Sequence, residues 1–342
     1  MRELSVVMCG CGKMSGAWLQ AAAEIPGLRV AGLADLNEAA ARERQAEFGL
    51  SEARVGTELE PLLDAVRPEL VFDCTVPEAH HAVTLAALRR GCHVLGEKPL
   101  ADSMEKAREM VAAAREAGRT YAVIQNRRYD ERARRFKAFL QSGALGPLTT
   151  LHSDFFIGAH FGGFRDRMEH VLLLDMAIHT FDLARFFTGA DPVSVYCKEW
   201  NPAGSWYDHD ASAVAVFQMT GGIIYTYRGS WCSEGLHTSW DAEWRAAGLR
   251  GSASWDGLDA FRAEVVAEDR EFIRPKQALE LPPAPADAKV GWHAGLIREF
   301  VECVREGRTP ETVCTDNIKS LAMVFGAIES ARQGREVAVR WH

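Results

Sequence analysis

Short apolar runs alternate with amphipathic segments through the first third of the chain. Five apolar runs have the length of buried strands, at residues 4–9, 28–34, 70–75, 93–95 and 121–124. The segments between them have the pattern of helices. Strands that alternate with helices predict an α/β fold with a doubly wound parallel sheet.

The pattern changes after about residue 126. A helix is predicted over residues 129–141, and β-rich runs follow at 193–199, 211–219, 223–230 and 239–245. Consecutive strands without helices between them predict an antiparallel sheet. Residues 275–289, rich in proline and alanine, are expected to form a surface loop, and helices are predicted near 291–306 and 316–333.

The length of 342 residues favours two domains, since one ordinary core rarely grows so large. We place them at residues 1–125 and 126–342. Helix starts inside the first domain are predicted from capping residues. Thr57 with Glu60 and Asp102 with Glu105 have the spacing of capping boxes.

The sequence Gly10-x-Gly12-x-x-Ser15-Gly16 directly follows the first predicted strand. It is similar to the fingerprint of dinucleotide-binding folds, with serine at the third glycine position. Such glycines have two explanations. They can serve the backbone alone, because glycine readily adopts positive φ. Alternatively, they leave room for a pyrophosphate that binds the N–H groups of the following helix.

Asp35 ends the second predicted strand, about twenty residues beyond Ser15. A carboxylate at this spacing accepts hydrogen bonds from a ribose diol and repels a 2′-phosphate. The strand, the glycines, the helix and the acid occur in the order and at the spacing of a dinucleotide-binding fold. The sequence therefore predicts a bound dinucleotide, and NAD in preference to NADP.

Composition narrows the possible partners and locations. The formal net charge of −8 argues against nucleic acid or an anionic membrane as a partner. No apolar run reaches about 18 residues, and the first strand begins too early to leave room for a signal peptide, so we expect a cytoplasmic protein. Eight cysteines without a C-x-x-C pair favour neither a zinc site nor disulfides.

Glu97-Lys98-Pro99 follows a predicted parallel strand, at the sheet edge where α/β folds bind ligands. This lysine is either a solvated side chain in an ordinary turn or a group that bonds a substrate hydroxyl as that hydroxyl loses its proton.

A second set of polar residues is predicted on one helix that begins near Leu172. Asp175, His179 and Asp182 are spaced by four and three residues and would share one helix face. An imidazole flanked by carboxylates is suited to act as a general base. A structural helix with a satisfied core histidine is the alternative. We predict no metal, because the sequence offers no clear third ligand.

Four motifs occur together in this order: the glycine motif, Thr75-Val-Pro-x-x-His80, Glu97-Lys98-Pro99 and Asp175-x-x-x-His179. With them the chain resembles the Gfo/Idh/MocA oxidoreductase family over essentially its whole length. The resemblance implies an N-terminal Rossmann domain and a C-terminal α/β domain. The latter would carry a large, open-faced, mostly antiparallel sheet that forms a homodimer or homotetramer interface. Ala177 replaces a glycine that is usual in this family, which puts substrate size in doubt.

The resemblance also implies functional residues. The catalytic residues would be Lys98, Asp175 and His179. The cofactor-binding residues would be Gly10, Gly12, Lys13, Met14, Asp35, Thr75, Pro77, His80, Glu97, Lys98, Asn126 and Arg127. The substrate-binding candidates are Lys98, Arg127, Phe155, Arg165, His170, Asp175, His179 and Tyr207.

Three functions fit this set of residues. The first is an NAD-dependent dehydrogenase that acts on a secondary hydroxyl of a sugar, cyclitol or sugar derivative. The second is an NAD-dependent glycosidase that oxidises its substrate transiently and then eliminates the glycosidic bond. The third is a non-catalytic NAD or sugar sensor, although binding alone requires neither Lys98 nor His179. Net NADH formation would distinguish the dehydrogenase from the glycosidase.

Overall fold

The computed structural model describes residues 2–267, 272–286 and 288–342. Contacts divide the chain into two compact units. The first comprises the chain up to Tyr129 together with Lys289–Ile318 and His342, and the second comprises Asp130–Ala288 and Lys319–Trp341. The second unit is therefore inserted into the sequence of the first. A domain boundary after residue 125 stays a prediction.

The first unit contains a parallel sheet. Its strands among the described residues are β1 (Leu4–Cys9), β2 (Leu28–Ala34), β3 (Arg54–Gly56), β4 (Leu70–Asp73), β5 (His93–Gly96) and β6 (Tyr121–Val123). They lie in the order β3-β2-β1-β4-β5-β6, and each neighbouring pair is parallel, which confirms the predicted doubly wound sheet. The strand order reverses between β1 and β4. Folds of this kind bind ligands at that point, along the carboxyl edge of the sheet where the strands end.

Helices cover this sheet. The connections in the described chain contain α1 (Ser15–Ala23), α2 (Glu38–Glu47), α3 (Leu59–Val66), α4 (Pro77–Arg89) and α5 (Met104–Ala117). The central strands β1 and β4 are almost completely buried. The Trp18 ring of α1 packs edge-on against Phe72, with 5.3 Å between ring centroids. Burial on both faces explains why these strands are largely apolar.

The second unit is built on a mixed sheet. Its helices include α6 (Glu131–Gln141) and α7 (Ile178–Thr188), and its strands in the described chain are β7 (Leu148–Phe156), β8 (Pro192–Trp200), β9 (Ser212–Met219), β10 (Ile224–Ser230), β11 (Glu243–Gly248), β12 (Gly251–Trp255), β13 (Phe261–Val266), β14 (Lys276–Leu279) and β15 (Val337–Ala338). Their order is β14-β13-β12-β11-β7-β10-β9-β8-β15. The β7–β10 pair is parallel and the other pairs are antiparallel, which confirms the mostly antiparallel sheet.

The two faces of the second sheet have different surroundings. On the covered face, the Phe181 ring of α7 lies 4.9 Å from Phe217 of β9 between ring centroids. On the opposite face, Tyr196, Val214 and Val216 are exposed. Buried and exposed positions alternate along β8 and β9. The sheet is open on one side.

Two helices follow near the C-terminus, α8 (Trp292–Glu306) and α9 (Cys314–Gln333). Leu296 and Phe300 of α8 belong to the same buried cluster as Trp18 and Phe72. The segment after α8 also bonds to the first sheet, because the Thr312 carbonyl accepts the N–H of Val123 in β6 at 3.1 Å. The core of the first unit therefore needs sequence from both ends of the chain.

Both predicted capping boxes are wrong. The box expected at Thr57 fails because α3 has Glu58 at its N-cap. The box expected at Asp102 fails because α5 is capped by Ser103, whose hydroxyl oxygen accepts the Lys106 N–H at 3.2 Å. In each case the helix begins one residue later than the spacing of the box requires.

The surface loop predicted at 275–289 is wrong in part. Within it, β14 pairs with β13 in antiparallel register from Ala263↔Leu279 to Val266↔Lys276. A strand of four residues contains too short a pattern of alternating polar and apolar residues to be recognised in the sequence. The prolines around it give the stronger signal, which is that of a loop. Residue 287 of this segment lies outside the described residues.

Candidate functional site

The loop after β1 holds two glycines in different surroundings. Gly10 has φ +87°, and a Cβ atom there would lie 2.5 Å from the Cys74 carbonyl oxygen. A Cβ atom on Gly12 would meet no heavy atom of the described residues within 4 Å. Backbone packing therefore explains Gly10. The open space at Gly12 fits a phosphate group that approaches the main chain closely.

Helix α1 begins directly behind this loop. Ser15 is buried, and its hydroxyl donates to the Gly12 carbonyl at 2.6 Å and accepts from Arg44 Nε at 3.2 Å. Lys13 and Met14 are exposed on the same turn. Ser15 thus holds the loop from its buried side. The start of the helix, where an anion is favoured, stays accessible.

Asp35 lies beside the same loop, immediately after β2. Its Oδ2 accepts the Cys11 N–H at 2.7 Å, and its Oδ1 accepts the Asn37 N–H at 2.8 Å. Two backbone donors therefore fix the carboxylate next to the glycine loop. This position fits the predicted contact with a ribose diol.

Thr75, Pro77 and His80 follow β4 across the point where the strand order reverses. Pro77 is the first residue of α4, and the Thr75 hydroxyl and N–H donate to Asp73 Oδ1. His80 is fully buried, with its ring nitrogens facing the carbonyls of Thr75 and Pro99. Burial raises the pKa of the Asp73 carboxyl, whereas a charge on His80 and the bonds from Thr75 act in the opposite direction.

Glu97 and Lys98 follow β5 at the same carboxyl edge. The Glu97 carboxylate accepts the Trp18 indole N–H at 3.0 Å and the Lys98 backbone N–H at 3.2 Å. Lys98 is half-buried, and its peptide bond to Pro99 is cis. The lysine backbone is thus connected through Glu97 to a core tryptophan.

Asn126 and Arg127 lie in a short 3₁₀ turn (Asn126–Tyr129) just beyond β6. The Asn126 amide nitrogen lies 3.2 Å from Nδ1 of His293, on α8. Burial lowers the pKa of His293, so the neutral ring accepts the Asn126 hydrogen at Nδ1. Because β6 neighbours β5, this turn belongs to the same edge of the sheet as Lys98.

In the second unit, the helix predicted to begin near Leu172 is not α-helical throughout. Residues Leu172–Ala177 form a π-helix, and α7 follows from Ile178. Asp175 therefore lies in a widened turn and His179 in the α-helix, so the expectation of regular α-helical spacing is wrong. Such short π-helical segments occur frequently at functional sites.

Arg165 holds Asp175 in place. Its Nε donates to Asp175 Oδ2 at 2.8 Å. The guanidinium carbon lies 5.0 Å from the Phe161 ring centroid and 4.8 Å from that of Phe164. Asp182, the other carboxylate of the predicted trio, accepts the Ser320 hydroxyl at 2.7 Å instead. The two carboxylates therefore have different partners.

The other substrate candidates of this unit are buried or bonded within it. Phe155 is fully buried, 5.1 Å from Trp231 between ring centroids. The Tyr207 hydroxyl donates to the Ala159 carbonyl at 2.7 Å, and burial raises the pKa of Tyr207 to about 12. His170 has φ +53° and its Nδ1 lies 2.7 Å from a Glu199 carboxylate oxygen.

Both units match known domain profiles. Residues 4–125 match the oxidoreductase family with an NAD-binding Rossmann fold, and residues 133–254 match the GFO/IDH/MocA C-terminal domain. The chain belongs to the Gfo/Idh/MocA oxidoreductase family. The predicted resemblance is confirmed, and NAD is the cofactor of this Gfo/Idh/MocA protein.

Individual relatives span nearly the whole chain or about half of it. D-apiose dehydrogenase of Paraburkholderia graminis is 27% identical over 357 residues, which cover 99% of this chain and 91% of that protein. Inositol 2-dehydrogenase of Streptomyces avermitilis is 33% identical over 194 residues, covering 56% and 55%. An oxidoreductase from Agrobacterium radiobacter, solved with NAD+, L-tartaric acid and magnesium, shares the fold with a TM-score of 0.85 at 22% identity, covering 98% of each chain.

Two contacts of this Gfo/Idh/MocA chain were missed by sequence reasoning. His293 lies far from Asn126 in the sequence, and the pattern at the start of α8 predicts only a helix. Arg165, a predicted substrate-binding residue, donates a hydrogen bond to Asp175 in the structure, a contact that the sequence did not predict. The glycines and aromatic residues around Arg165 indicate a loop, but no spacing rule connects that loop to Asp175.

Cofactor selection is open to a direct test at Asp35. We expect Asp35→Ser to reduce the preference for NADH over NADPH by at least about tenfold, since a like charge beside the 2′-phosphate costs several kcal/mol. Fluorescence titration of both nucleotides on both proteins measures the ratio. Equal affinities in the wild-type protein would contradict the assigned role of Asp35.

The His170–Glu199 pair should make stability depend on pH. The hydrogen bond to Glu199 raises the pKa of His170, so the stabilisation is complete below about pH 6.5 and is lost as pH rises through the raised value. We expect wild type to exceed His170→Asn in free energy of unfolding by about 1 kcal/mol at pH 6, and by less at pH 9. Asparagine is the matched replacement because it tolerates positive φ. A pH-independent difference would contradict the assignment.

The residues that the structure describes contain neither a cluster of metal-ligating side chains nor a membrane-spanning helix. No group of three or more His, Cys, Asp or Glu side chains there is arranged to hold a metal ion. No helix of this part of the chain is long and apolar enough to cross a bilayer.

Proposed function

We propose that the protein is an NAD-dependent dehydrogenase that acts on a secondary hydroxyl of a sugar, cyclitol or sugar derivative. The observation that carries this proposal is the position of Lys98, fixed through Glu97 at the carboxyl edge of a dinucleotide-binding sheet. The relatives named D-apiose dehydrogenase and inositol 2-dehydrogenase support the substrate class.

The cofactor site is formed by groups of the first unit. Gly12 leaves space for the pyrophosphate, and the Asp35 carboxylate accepts the ribose hydroxyls. Leu36 and Val76, 93% and 62% exposed, offer apolar contacts to the adenine on either side of the point where the strand order reverses. When bound, NAD supplies the acceptor for the hydride that leaves the substrate carbon.

Lys98, His179 and Asp175 serve the removal of the proton from the substrate hydroxyl. Lys98 donates a hydrogen bond to the oxygen as negative charge develops there. The proton passes to Lys98 or directly to His179, and Asp175, held by Arg165, binds a neighbouring hydroxyl or orients the imidazole. Either Lys98 or His179 is the immediate base.

A substrate panel tests this function. Purified protein with NAD and each of myo-inositol, D-apiose and levoglucosan should form NADH with at least one substrate, which is followed by absorbance. An aryl glycoside serves as the diagnostic comparison. Aglycone release without net NADH would replace the dehydrogenase by the glycosidase, and binding without any turnover would favour the sensor.

We also propose that the open face of the second sheet forms a homodimer or homotetramer interface. Tyr196 and Val216 are directly opposite each other on β8 and β9, and both are exposed. Exposed apolar side chains in one patch are typical of an interface. We expect Val216→Glu to convert the oligomer to a 37.7 kDa monomer in light scattering. Leu249→Glu, on an exposed loop, should leave the mass unchanged; a monomeric wild type would contradict the proposal.

A further inference from the structure

His80 has an unusual pair of partners. It lies in α4 and is fully buried. Its Nδ1 is 2.8 Å from the Pro99 carbonyl oxygen, and its Nε2 is 3.1 Å from the Thr75 carbonyl oxygen. Carbonyl oxygens only accept hydrogen bonds, and a neutral imidazole has a single N–H group. Both contacts are favourable only when both ring nitrogens carry hydrogen.

A negative group accompanies this ring. The Asp73 carboxylate, at the end of β4, is also fully buried. Its Oδ1 accepts the Thr75 N–H at 3.1 Å and the Thr75 hydroxyl, and both bonds favour the ionised form. A buried cation requires a nearby counter-charge. Burial alone raises the pKa of the Asp73 carboxyl, whereas a charge on His80 and the bonds from Thr75 lower it, so a charged His80 and an ionised Asp73 stabilise each other.

The two carbonyls belong to different segments of the carboxyl edge. Thr75 lies between β4 and α4, next to the point where the strand order reverses, and Pro99 directly follows Lys98. The Lys98 N–H is bonded to Glu97 on its other side. A doubly protonated ring therefore holds the segment that carries Lys98 from one end, while Glu97 holds it from the other.

We propose that His80 is a buried imidazolium that ties the Pro99 carbonyl to the Thr75 carbonyl and so acts as a positioning residue for Lys98. The positioning role rests on the proposed function of Lys98, whereas the charge state does not. The ring is enclosed by the protein, so His80 acts on the site through the backbone and not by touching substrate.

Nitrogen NMR tests the charge state without any turnover. In protein labelled with ¹⁵N-histidine at pH 7.5, we expect both His80 ring nitrogens to have the chemical shifts of protonated nitrogens. An ordinary histidine is mostly neutral at this pH, because its usual pKa is about 6.5. The His80→Gln spectrum assigns the signals; if that variant fails to fold, His80→Asn or sequential assignment of the wild type replaces it. One protonated and one unprotonated nitrogen would overturn the proposal.

Hydrogen exchange and kinetics test the positioning role. His80→Gln should increase amide exchange in residues 97–103 and lower kcat by about ten- to a hundredfold, with KM and NADH affinity changed much less, because a shift of reacting groups by about 1 Å has that effect. His81→Gln is the matched control, since His81 is the next residue of α4 and pairs with Glu109. Unchanged exchange in His80→Gln would overturn the positioning role. Altered exchange with no turnover in the wild type would instead reject the proposed function of the site.

Discussion

We expect Lys98→Ala to lower kcat by at least about 100-fold, the usual scale for the loss of an acid–base or electrostatic group. The ammonium group bonds the substrate oxygen most strongly as that oxygen becomes negative, so its removal affects turnover first. NADH affinity should change little, because the contacts proposed for the pyrophosphate and the ribose lie at Gly12 and Asp35. Steady-state rates and NADH titrations measure the two effects.

A surface lysine provides the control for this experiment. Lys106 pairs with Asp102 on α5, and Lys106→Ala should leave kcat unchanged. His179→Ala should cause a loss similar to that of Lys98→Ala. The double variant should lose far less than the product of the two, if both groups serve one proton transfer. Near-normal kcat in Lys98→Ala would remove this lysine from the mechanism.

Gly12→Val should weaken NADH binding by at least about 100-fold, which corresponds to about 2.7 kcal/mol. A side chain at this position occupies the space through which a pyrophosphate reaches the backbone. The thermal unfolding midpoint should change little, because the added atoms begin in open space. Calorimetric or fluorescence titration measures the affinity, and circular dichroism measures the midpoint.

Gly10→Ala is the matched comparison. Its methyl group would lie 2.5 Å from the Cys74 carbonyl oxygen on a backbone with φ +87°. This variant should therefore lower stability by more than about 1 kcal/mol. Equal losses of stability in both variants would show that Gly12 also serves packing, and an unchanged affinity in Gly12→Val would contradict its role at the pyrophosphate.

The strands of the first unit were predictable because their signal is local. Residues 4–9 and 28–34 are strands in the structure with the predicted bounds, since each is a largely apolar run with one polar residue near its start. Helix starts were less predictable. Thr57 failed as a cap because α3 begins one residue later, with Glu58 at the N-cap and no side-chain hydrogen bond to the first turn.

The candidate site was predictable as a set of residue types but not as a set of contacts. The spacing of Asp175, His179 and Asp182 by four and three residues is that of an α-helix, so the widened π-helical turn at Asp175 could not be foreseen. The bond between Asn126 and His293 joins positions far apart in the sequence. Contacts of this kind depend on how elements pack, which no short pattern encodes.

The insertion of one unit into the sequence of the other limits the order in which the two units can fold during synthesis. Because α8 contributes Leu296 and Phe300 to the core of the first unit, a nascent chain cannot complete that core until residues 292–306 have left the ribosome. Asp130–Ala288 has already been synthesised by then. Domains usually fold in order from the N-terminus while the chain is synthesised at about 5–20 residues per second, and this order does not hold here. The apolar residues that α8 covers therefore wait without it for on the order of ten seconds. That interval is when a chaperone would bind them.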